Sequence, residues 1–188
     1  MARLLWLILI FYLRPSESFR LTVGHFTPPL ISRGSRLYRW SLVLHRFEDE
    51  VPSKVGAFDE TLLLDLEEHQ WFGRVLEKWL ADRAPHEPLV SFTQRQMSQK
   101  IREIAGEINL DPRPTLYQIR HSAVSLDLAL GRRTRKEAKA RGRWALDSSM
   151  QRYTKGGRLA ERFKRLSLSS QREGVEALNR LPALLTGR

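Results

Sequence analysis

The sequence of 188 residues contains no cysteine. A disulfide framework, a thiolate metal site and a cysteine nucleophile are therefore excluded. Histidine is also scarce, since the chain has five, and no two of them have the HExxH spacing of a zinc-binding helix. No internal repeat or long low-complexity tract is visible. We therefore expect a protein without disulfides, without a bound metal and without a cofactor.

The charge of the chain is strongly one-sided. Lysine and arginine number 32 against 21 aspartate and glutamate residues, which gives a formal net charge of +11 and an isoelectric point of about 10.6. Such an excess of cations predicts a polyanionic partner, of which nucleic acid is the first candidate and an anionic membrane surface the second. The apolar content of 41% and the length are those of one globular domain with a core.

The N-terminus has an apolar run over residues 4–13 that permits two interpretations. An early arginine followed by such a run is typical of a signal peptide, and the run is too short to cross a membrane. No small-residue cleavage site follows, because the next residues are RPSESF. We favour a buried helix, with a targeting segment as the alternative.

The middle of the chain predicts a small sheet. Residues 40–47 and 61–66 are rich in strand-forming side chains. The segment between them contains Pro52 and Gly56, which favour turns. Two or three strands here would form an antiparallel sheet with Lys54 on or beside a turn. On local sequence alone, Lys54 is best interpreted as a solvated loop lysine.

Helices dominate the rest of the chain. The spacing of apolar residues predicts them over residues 67–83, 91–110 and 116–130. We expect Ser91 to cap the second, with Gln94 completing a capping box, and Gly131 to end the third. The predicted fold class is therefore mainly α with a small antiparallel β-sheet (α+β).

Arg120 lies within the apolar helix predicted over residues 116–130. An arginine among such neighbours is costly to bury without a partner. It either lies at the rim of the apolar face in an ion pair with a carboxylate, or directs its planar guanidinium at an anion such as phosphate. The residues next to it leave both interpretations open.

The spacing around Arg120 resembles the C-terminal signature of the tyrosine recombinase (phage integrase) family. Tyr117-x-x-Arg120 is followed by Gly142-x-Trp144, and Tyr153 lies nine residues after Trp144. In that family a His-x-x-Arg motif precedes a Gly-His or Gly-Trp pair, and the nucleophilic tyrosine follows nine residues later. Arg120 matches the arginine of the motif, Trp144 its His/Trp position and Tyr153 the nucleophile.

Two upstream segments extend the resemblance to about residues 5–160. YLRPSE resembles the family's first arginine box and identifies Arg14 as the other phosphate-binding arginine. PSKVGAFDETLLLD resembles the β-hairpin that carries the catalytic lysine, which here is Lys54. The resemblance implies a catalytic domain over residues 1–160 and a helical tail over residues 161–188. We expect the family's N-terminal DNA-clamping domain to be absent, because few residues precede the first box.

The resemblance implies DNA breaking and rejoining, as in site-specific recombination or the integration of a mobile element. Tyr153 would attack the phosphate and form a covalent 3′-phosphotyrosyl link. Arg14 and Arg120 would stabilise the charge on the phosphate oxygens in place of a metal. Lys54 would protonate the departing 5′ oxygen. Because the link is reversible, the 5′-hydroxyl of a second strand can reclaim the phosphate.

Tyr117 stands where the family most often has histidine. It would hydrogen-bond the phosphate or help to take the proton from Tyr153, although a phenol is a poor base near neutral pH. His121 follows Arg120 directly, and one helical residue turns by about 100°, so we expect it to point away from the site. Trp144 would pack against the site and donate its indole N–H to the phosphate.

The segment RRTRKEAKARGR lies between the arginine and tryptophan motifs and has seven basic residues and one acidic residue. In isolation it is typical of a solvated helix face. Its place between two motifs favours contact with the DNA backbone, which confers affinity and salt dependence rather than sequence choice. The predicted DNA contacts are Arg132, Arg133, Arg135, Lys136, Lys139, Arg141 and Arg143.

The tail has helical patterns over residues 158–172 and 174–185. The family docks its last helix on a neighbouring protomer, so Leu178, Leu181 and Leu184 are candidates for an oligomer contact on DNA. A helix folded back on its own domain, or a frayed end, is the alternative.

Three other functions remain open. The chain could be an inactive relic of the same fold that binds DNA, a type IB topoisomerase that relaxes supercoils, or a basic protein anchored to a membrane by residues 4–13. For the recombinase function we expect double-stranded DNA as the partner. The expected location is inside the cell with DNA, in the nucleus if the source is eukaryotic.

Overall fold

The computed structural model is mainly α-helical and has a three-stranded antiparallel sheet, as the predicted fold class requires. It describes residues 1–30, 38–50, 52, 58–110, 113–151, 153, 161 and 163–187. The helices are α1 (Ala2–Phe11), α2 (Pro15–Ser18), α3 (Phe72–Leu80), α4 (Gln94–Glu107), α5 (Leu116–Ala129), α6 (Arg135–Gly142) and α7 (Leu168–Thr186). The strands are β1 (Phe26–Thr27), β2 (Ser41–Leu44) and β3 (Glu60–Leu63). Short 3-10 helices span Val23–His25, Phe47–Asp49, Glu67–His69 and Asp147–Met150.

The chain divides into two compact units. Unit 1 contains Met1–Pro15 and Phe92–Arg188, and unit 2 contains Ser16–Ser91. Arg14 and the C-terminal motifs therefore belong to unit 1. The predicted boundary after residue 160 stays a prediction, because it follows a segment, residues 154–160, that lies outside the described residues.

Unit 2 is built on the sheet. β2 pairs antiparallel with β1, where Phe26 faces Leu42, and with β3, where Leu42 faces Leu62. Leu42 and Leu44 are buried and alternate with partly exposed residues, which is the period of a strand with one covered face. The two predicted strands are thus present and shorter than predicted, because β2 spans Ser41–Leu44 within the predicted residues 40–47 and β3 spans Glu60–Leu63 where residues 61–66 were predicted. The predicted turn that carries Lys54 lies outside the described residues.

The three helices predicted after the sheet are present as α3, α4 and α5. The predicted cap of α4 is wrong, because Thr93 and Gln96 form the capping box in place of Ser91 and Gln94. Thr93 Oγ1 accepts from the Gln96 N–H at 3.2 Å, and Gln96 Oε1 accepts from the Thr93 N–H at 2.8 Å. The segment SFTQRQ contains two overlapping Ser/Thr-x-x-Gln patterns, and spacing alone does not choose between them.

Helix α1 is buried, as the favoured interpretation of the N-terminus predicted. Leu4, Leu7, Ile8 and Phe11 are fully buried, and the helix packs against α5 within unit 1. An apolar helix of this kind is stable only when neighbours cover it on most sides. Among the described residues, no helix combines the length and the apolar character that a membrane span needs.

The end of α1 sets the direction of the chain just before Arg14. Tyr12 adopts a left-handed conformation with φ of 50°, and the Leu13 N–H donates to Ile8 O at 3.2 Å, which closes a Schellman turn. A non-glycine residue in this conformation costs roughly 1–2 kcal/mol. The buried Tyr12 hydroxyl donates a 2.5 Å hydrogen bond to Asp127 Oδ2 on α5, which offsets that cost.

We predict that Tyr12→Phe destabilises the protein by about 1.5–3 kcal/mol, the range for a hydrogen bond to a charged acceptor. Urea unfolding measures the difference. Tyr38→Phe is the matched control, because the Tyr38 side chain is 66% exposed, and it should change the free energy of unfolding by less than about 0.5 kcal/mol. Equal effects of the two substitutions would show that the Tyr12–Asp127 bond does not stabilise the fold.

The same bond predicts a dependence of stability on pH. Burial, and then the hydrogen bond to Asp127, raise the pKa of Tyr12 above its usual value. The unfolded chain therefore releases this proton above about pH 10 while the folded chain keeps it, so the free energy of unfolding falls as pH rises. The stability difference between the parent and Tyr12→Phe should narrow above pH 10, and parallel curves would contradict this.

Candidate active site

Arg120 is held inside unit 1 by α5. The helix begins at a capping box in which Thr115 Oγ1 accepts from the Gln118 N–H at 3.2 Å. The Arg120 side chain is 1% exposed, so the rim position considered from the sequence is wrong. Its Nη2 donates a 2.6 Å hydrogen bond to Gly142 O, and its guanidinium carbon lies 4.8 Å from the centre of the Trp144 ring. The guanidinium is therefore fixed at the end of α6.

A Schellman turn at the end of α6 places Trp144. Arg143 adopts the left-handed conformation with φ of 56°, and its N–H donates to Ala140 O at 3.0 Å. The Trp144 N–H donates to Lys139 O at 3.2 Å, which is the second bond of this motif. The turn brings the half-buried indole back over Gly142. The Gly-x-Trp spacing in the sequence is thus explained by local backbone geometry.

We predict that Gly142→Ala displaces the indole. A Cβ atom at this position would lie 1.6 Å from Cζ3 of Trp144 and 2.1 Å from Cε3, and a rigid ring cannot absorb that overlap. The substitution should destabilise the protein by about 1–3 kcal/mol, the range for overpacking. Gly174→Ala is the matched control, because nothing lies within 4 Å of its Cβ in helix α7, and it should stabilise by about 0.5–1 kcal/mol. Thermal unfolding of both variants measures the contrast, and an unchanged Gly142→Ala protein would contradict it.

Arg14 joins Arg120 through the next carbonyl of the same turn. Its Nη2 donates to Arg143 O at 3.2 Å, whereas Arg120 donates to Gly142 O. The two guanidinium groups therefore bind consecutive carbonyls, although the residues are far apart in sequence. Guanidinium groups are suited to bind an anion that has several oxygens.

Tyr153 follows Trp144 in the sequence and belongs to the same cluster of side chains. Its side chain is buried, and its N–H donates to Met150 O at 3.0 Å, just after the 3-10 helix Asp147–Met150. The centre of its ring lies 5.1 Å from the centre of the Trp144 ring. Its hydroxyl makes a hydrogen bond with Nδ1 of His121. The predicted nucleophile thus shares one hydrophobic core cluster with α5 and α6.

His121 is the site residue that the sequence interpretation missed. We expected it to point away, because it follows Arg120 by one residue. His121 lies four residues after Tyr117, and residues four apart lie on the same face of a helix. The two rings pack edge to face, with centres 4.9 Å apart and an interplanar angle of 62°. Tyr117 itself is 52% exposed, and His121 lies between it and Tyr153.

Comparison with known proteins gives the fold. No protein-family model matches the chain, and no curated protein sequence is similar enough to count as a match. The XerH site-specific recombinase bound to difH substrate, a pre-cleavage complex, matches with a TM-score of 0.59 and 19% sequence identity, over 85% of this chain and 44% of that chain. A post-cleavage complex of XerH with palindromic difH matches with a TM-score of 0.54 and 16% identity, over 85% and 43% of the two chains. The chain has the fold of a tyrosine recombinase catalytic domain.

This fold is the one that the resemblance of the sequence motifs implied. This chain spans less than half the length of the XerH chain that it matches. Among the residues that the structure describes, no three His, Asp or Glu side chains are grouped closely enough to hold a metal ion. The contacts of Arg14, Tyr117, Arg120, Trp144 and Tyr153 connect them into one cluster in unit 1. Lys54 lies outside the described residues, and its role stays a prediction.

Two arginines of the basic segment donate hydrogen bonds to backbone carbonyls at the end of α1. Arg141 is buried and donates from Nε and Nη2 to Ile10 O, at 3.0 and 2.9 Å. Arg143 Nη2 donates to Tyr12 O at 3.3 Å. The last carbonyls of a helix have no partner within the helix, so cationic donors stabilise them. These bonds hold the segment that leads into Arg14, and the DNA contacts predicted for both arginines stay predictions.

Among the other basic residues of the segment, the Arg133 side chain is also buried, at 8% exposure, whereas the Arg132 and Lys139 side chains are 27% exposed. Arg132 and Arg133 approach Asp127, at 3.4 and 3.6 Å. Lys139 forms a 2.7 Å ion pair with Asp147. The hydrogen bond with Lys139 is the main reason that the pKa of the Asp147 carboxyl is lowered. Two further members of the segment are exposed on α6, namely Arg135 and Lys136. Their predicted DNA contacts remain untested.

Proposed function

We propose that the chain breaks and rejoins double-stranded DNA through a covalent 3′-phosphotyrosyl link on Tyr153. The observation that carries the proposal is the position of Arg14 and Arg120 on consecutive carbonyls, next to the indole that contacts Tyr153. A nucleophilic hydroxyl on a ring that packs against Trp144, together with the guanidinium groups fixed at the same turn, supplies the parts that phosphoryl transfer requires without a metal. Site-specific recombination or integration is the process that this chemistry serves best.

The reaction assigns one task to each group. The Tyr153 oxygen attacks phosphorus and forms a new P–O bond, while the bond from phosphorus to the 5′ oxygen breaks. Arg14 and Arg120 stabilise the negative charge that builds up on the other phosphate oxygens. Lys54 supplies the proton that the departing 5′ oxygen needs. Trp144 holds the tyrosine ring and directs its indole N–H to the phosphate.

Duplex DNA is the substrate that best fits the charge of the chain. The net charge of +11 favours a polyanion, and XerH is a recombinase solved with a DNA substrate. Arg135 and Lys136 are exposed on α6 and are the residues of the basic segment best placed for backbone contacts. A protein with this partner acts inside the cell, where DNA is. Binding to random duplexes should weaken steeply with salt, and salt-independent binding would contradict a backbone interface.

Helix α7 is a candidate contact between protomers assembled on DNA. Leu178 and Leu184 are exposed by 54% and 66%, and Val175 beside them by 55%. Leu181, the third residue predicted for this contact, is partly buried. Exposed leucines repeated along one helix are typical of a helix that packs on a partner. Sedimentation of one protomer per duplex at saturating protein would contradict this contact.

The test of the proposal is covalent capture on nicked DNA. A pool of duplexes of randomised sequence, each with a nick a few nucleotides beyond the cleavage position, loses the short 5′-hydroxyl fragment after attack and traps the adduct. We expect a DNA–protein adduct that survives denaturation and maps to Tyr153 by mass spectrometry. Retained binding without any adduct would assign the chain to the inactive DNA-binding class, and relaxation of a supercoiled circle without strand exchange would assign it to the topoisomerase class.

The role of Lys54 can be tested through the leaving group. Lys54→Ala should slow cleavage of ordinary DNA by about 10²–10⁴-fold, the contribution of a general acid. The same substitution should have little effect on strands whose scissile 5′ oxygen is replaced by p-nitrophenol, because p-nitrophenolate leaves without a proton. Lys100→Ala is the control, since Lys100 pairs with Glu103 on the surface of α4. Equal slowing on both substrates would exclude Lys54 as the acid.

A further inference from the structure

A hydrogen bond joins the Tyr153 hydroxyl to Nδ1 of His121 at the candidate site. From this geometry we infer that His121, and not Tyr117, removes the proton from Tyr153, while Tyr117 positions the imidazole. This inference rests on the proposed function, because it concerns the nucleophile of that reaction. It assigns a catalytic task to a residue outside the arginine, lysine, tryptophan and tyrosine positions of the sequence motifs.

The contact is to the reacting atom itself. The Tyr153 hydroxyl oxygen binds Nδ1 of His121, so the proton has a direct path to a ring nitrogen. The two rings lie with centres 5.2 Å apart at an interplanar angle of 40°. The tyrosine ring is packed on Trp144 at the same time, at 5.1 Å. Neighbouring side chains therefore hold the Tyr153 ring in place, and the ring directs its hydroxyl at the imidazole of His121.

Tyr117 contacts the other partner of this pair. Its ring packs edge to face with His121, with centres 4.9 Å apart and one helical turn between the residues. Its side chain is 52% exposed, whereas Tyr153 is 4% exposed. An aromatic edge against an imidazole restricts rotation of the ring, and this restriction needs no hydroxyl group. The structure thus gives Tyr117 a positioning task that phenylalanine could also perform.

Imidazole and phenol differ in the chemistry that this step requires. A neutral imidazole nitrogen accepts a proton near neutral pH, whereas a phenol must first lose its own proton, which ordinarily happens near pH 10. In the proposed step the Tyr153 O–H bond breaks and its proton moves to Nδ1 of His121. The oxygen forms a bond to phosphorus as the bond to the 5′ oxygen breaks. The neutral imidazole must carry its own proton on Nε2 for Nδ1 to accept.

The test measures adduct formation in single turnover on the randomised nicked duplexes and on the p-nitrophenyl phosphodiesters. His121→Ala should slow both substrates by about 10²–10⁴-fold, the range for a general base, and added imidazole should restore part of the rate. His121→Asn keeps a hydrogen-bond acceptor but cannot take a proton, so it should be equally slow while folding normally. The equal loss on both substrates separates removal of the Tyr153 proton from the Lys54 task, which the p-nitrophenyl ester bypasses.

Tyr117 variants provide the second half of the test. Tyr117→Phe retains the aromatic edge and should lose less of the rate than Tyr117→Ala, which removes that edge. The inference is overturned if His121→Asn forms the Tyr153 adduct at the parent rate, if imidazole does not rescue His121→Ala, or if Tyr117→Phe is as slow as the histidine variants. In each of these cases the parent adduct still supports the proposed function, while absence of a parent adduct removes the proposed function itself.

Discussion

Tyr153→Phe should abolish the covalent DNA adduct, with a loss of at least about 10⁴-fold in cleavage rate. Phenylalanine has no oxygen to bond to phosphorus, and no arrangement of the other groups replaces that atom. DNA binding should survive, because the ring that packs on Trp144 and His121 is retained. The loss of one buried hydroxyl hydrogen bond should cost only about 0.5–1.5 kcal/mol of stability.

The measurement combines adduct yield with binding and unfolding. Denaturing gels report the adduct, fluorescence anisotropy with labelled duplex reports binding, and thermal unfolding verifies the fold. Tyr38→Phe is the control, since it removes a hydroxyl from an exposed tyrosine outside the cluster. An adduct of Tyr153→Phe at the parent yield, or DNA mapped to another residue in the parent, would remove Tyr153 as the nucleophile.

The fold could be predicted from the sequence wherever local signals agree. The alternation in residues 40–47 gave β2 because Leu42 and Leu44 point to one covered face. The apolar run at the N-terminus predicted α1 as a buried helix, because a helix that is apolar on all sides must be covered by neighbouring parts of the protein. The predicted cap of α4 was wrong because two overlapping Ser/Thr-x-x-Gln patterns predicted two different capping residues equally well. The structure has Thr93 as the cap.

The candidate site could be predicted only in part. Arg120, Trp144 and Tyr153 stood out through spacing within one stretch of chain. Arg141 did not, because a basic run looks the same in sequence whether its arginines meet solvent or the carbonyls of a helix far away in the chain. Its bonds to Ile10 O depend on α1 ending beside α6, which no local pattern encodes.

The bond between Tyr153 and His121 was missed for a related reason. Helical geometry fixes where His121 points relative to other residues of α5, but not which segment comes to meet that face. The signal that was available is the four-residue spacing from Tyr117, the position where the recombinase family most often has histidine. A histidine one turn further along the same face can reach the same neighbour.

Arg120→Ala should lower the rate of cleavage by at least about 10²-fold, the effect of removing one preorganised charge-stabilising donor. The guanidinium is fixed on Gly142 O before DNA arrives, so little reorganisation is needed when charge develops on the phosphate. Arg120→Lys should also be impaired, because an ammonium group cannot donate from two parallel N–H groups to two oxygens. Adduct formation under single-turnover conditions measures all three proteins.

Removal of a buried arginine also alters packing, so the Arg120 prediction needs a control of the same kind. Arg83→Met is suitable, because Arg83 is a partly buried arginine outside the candidate site that also donates to backbone carbonyls, those of Pro88 and Leu89. It should lower the melting temperature, as Arg120→Ala does, yet retain most of the cleavage rate once folded. A similar loss of cleavage in both variants would attribute the Arg120 effect to the fold. Parent-like cleavage by Arg120→Ala would contradict charge stabilisation, and Arg14 alone would then have to hold the phosphate.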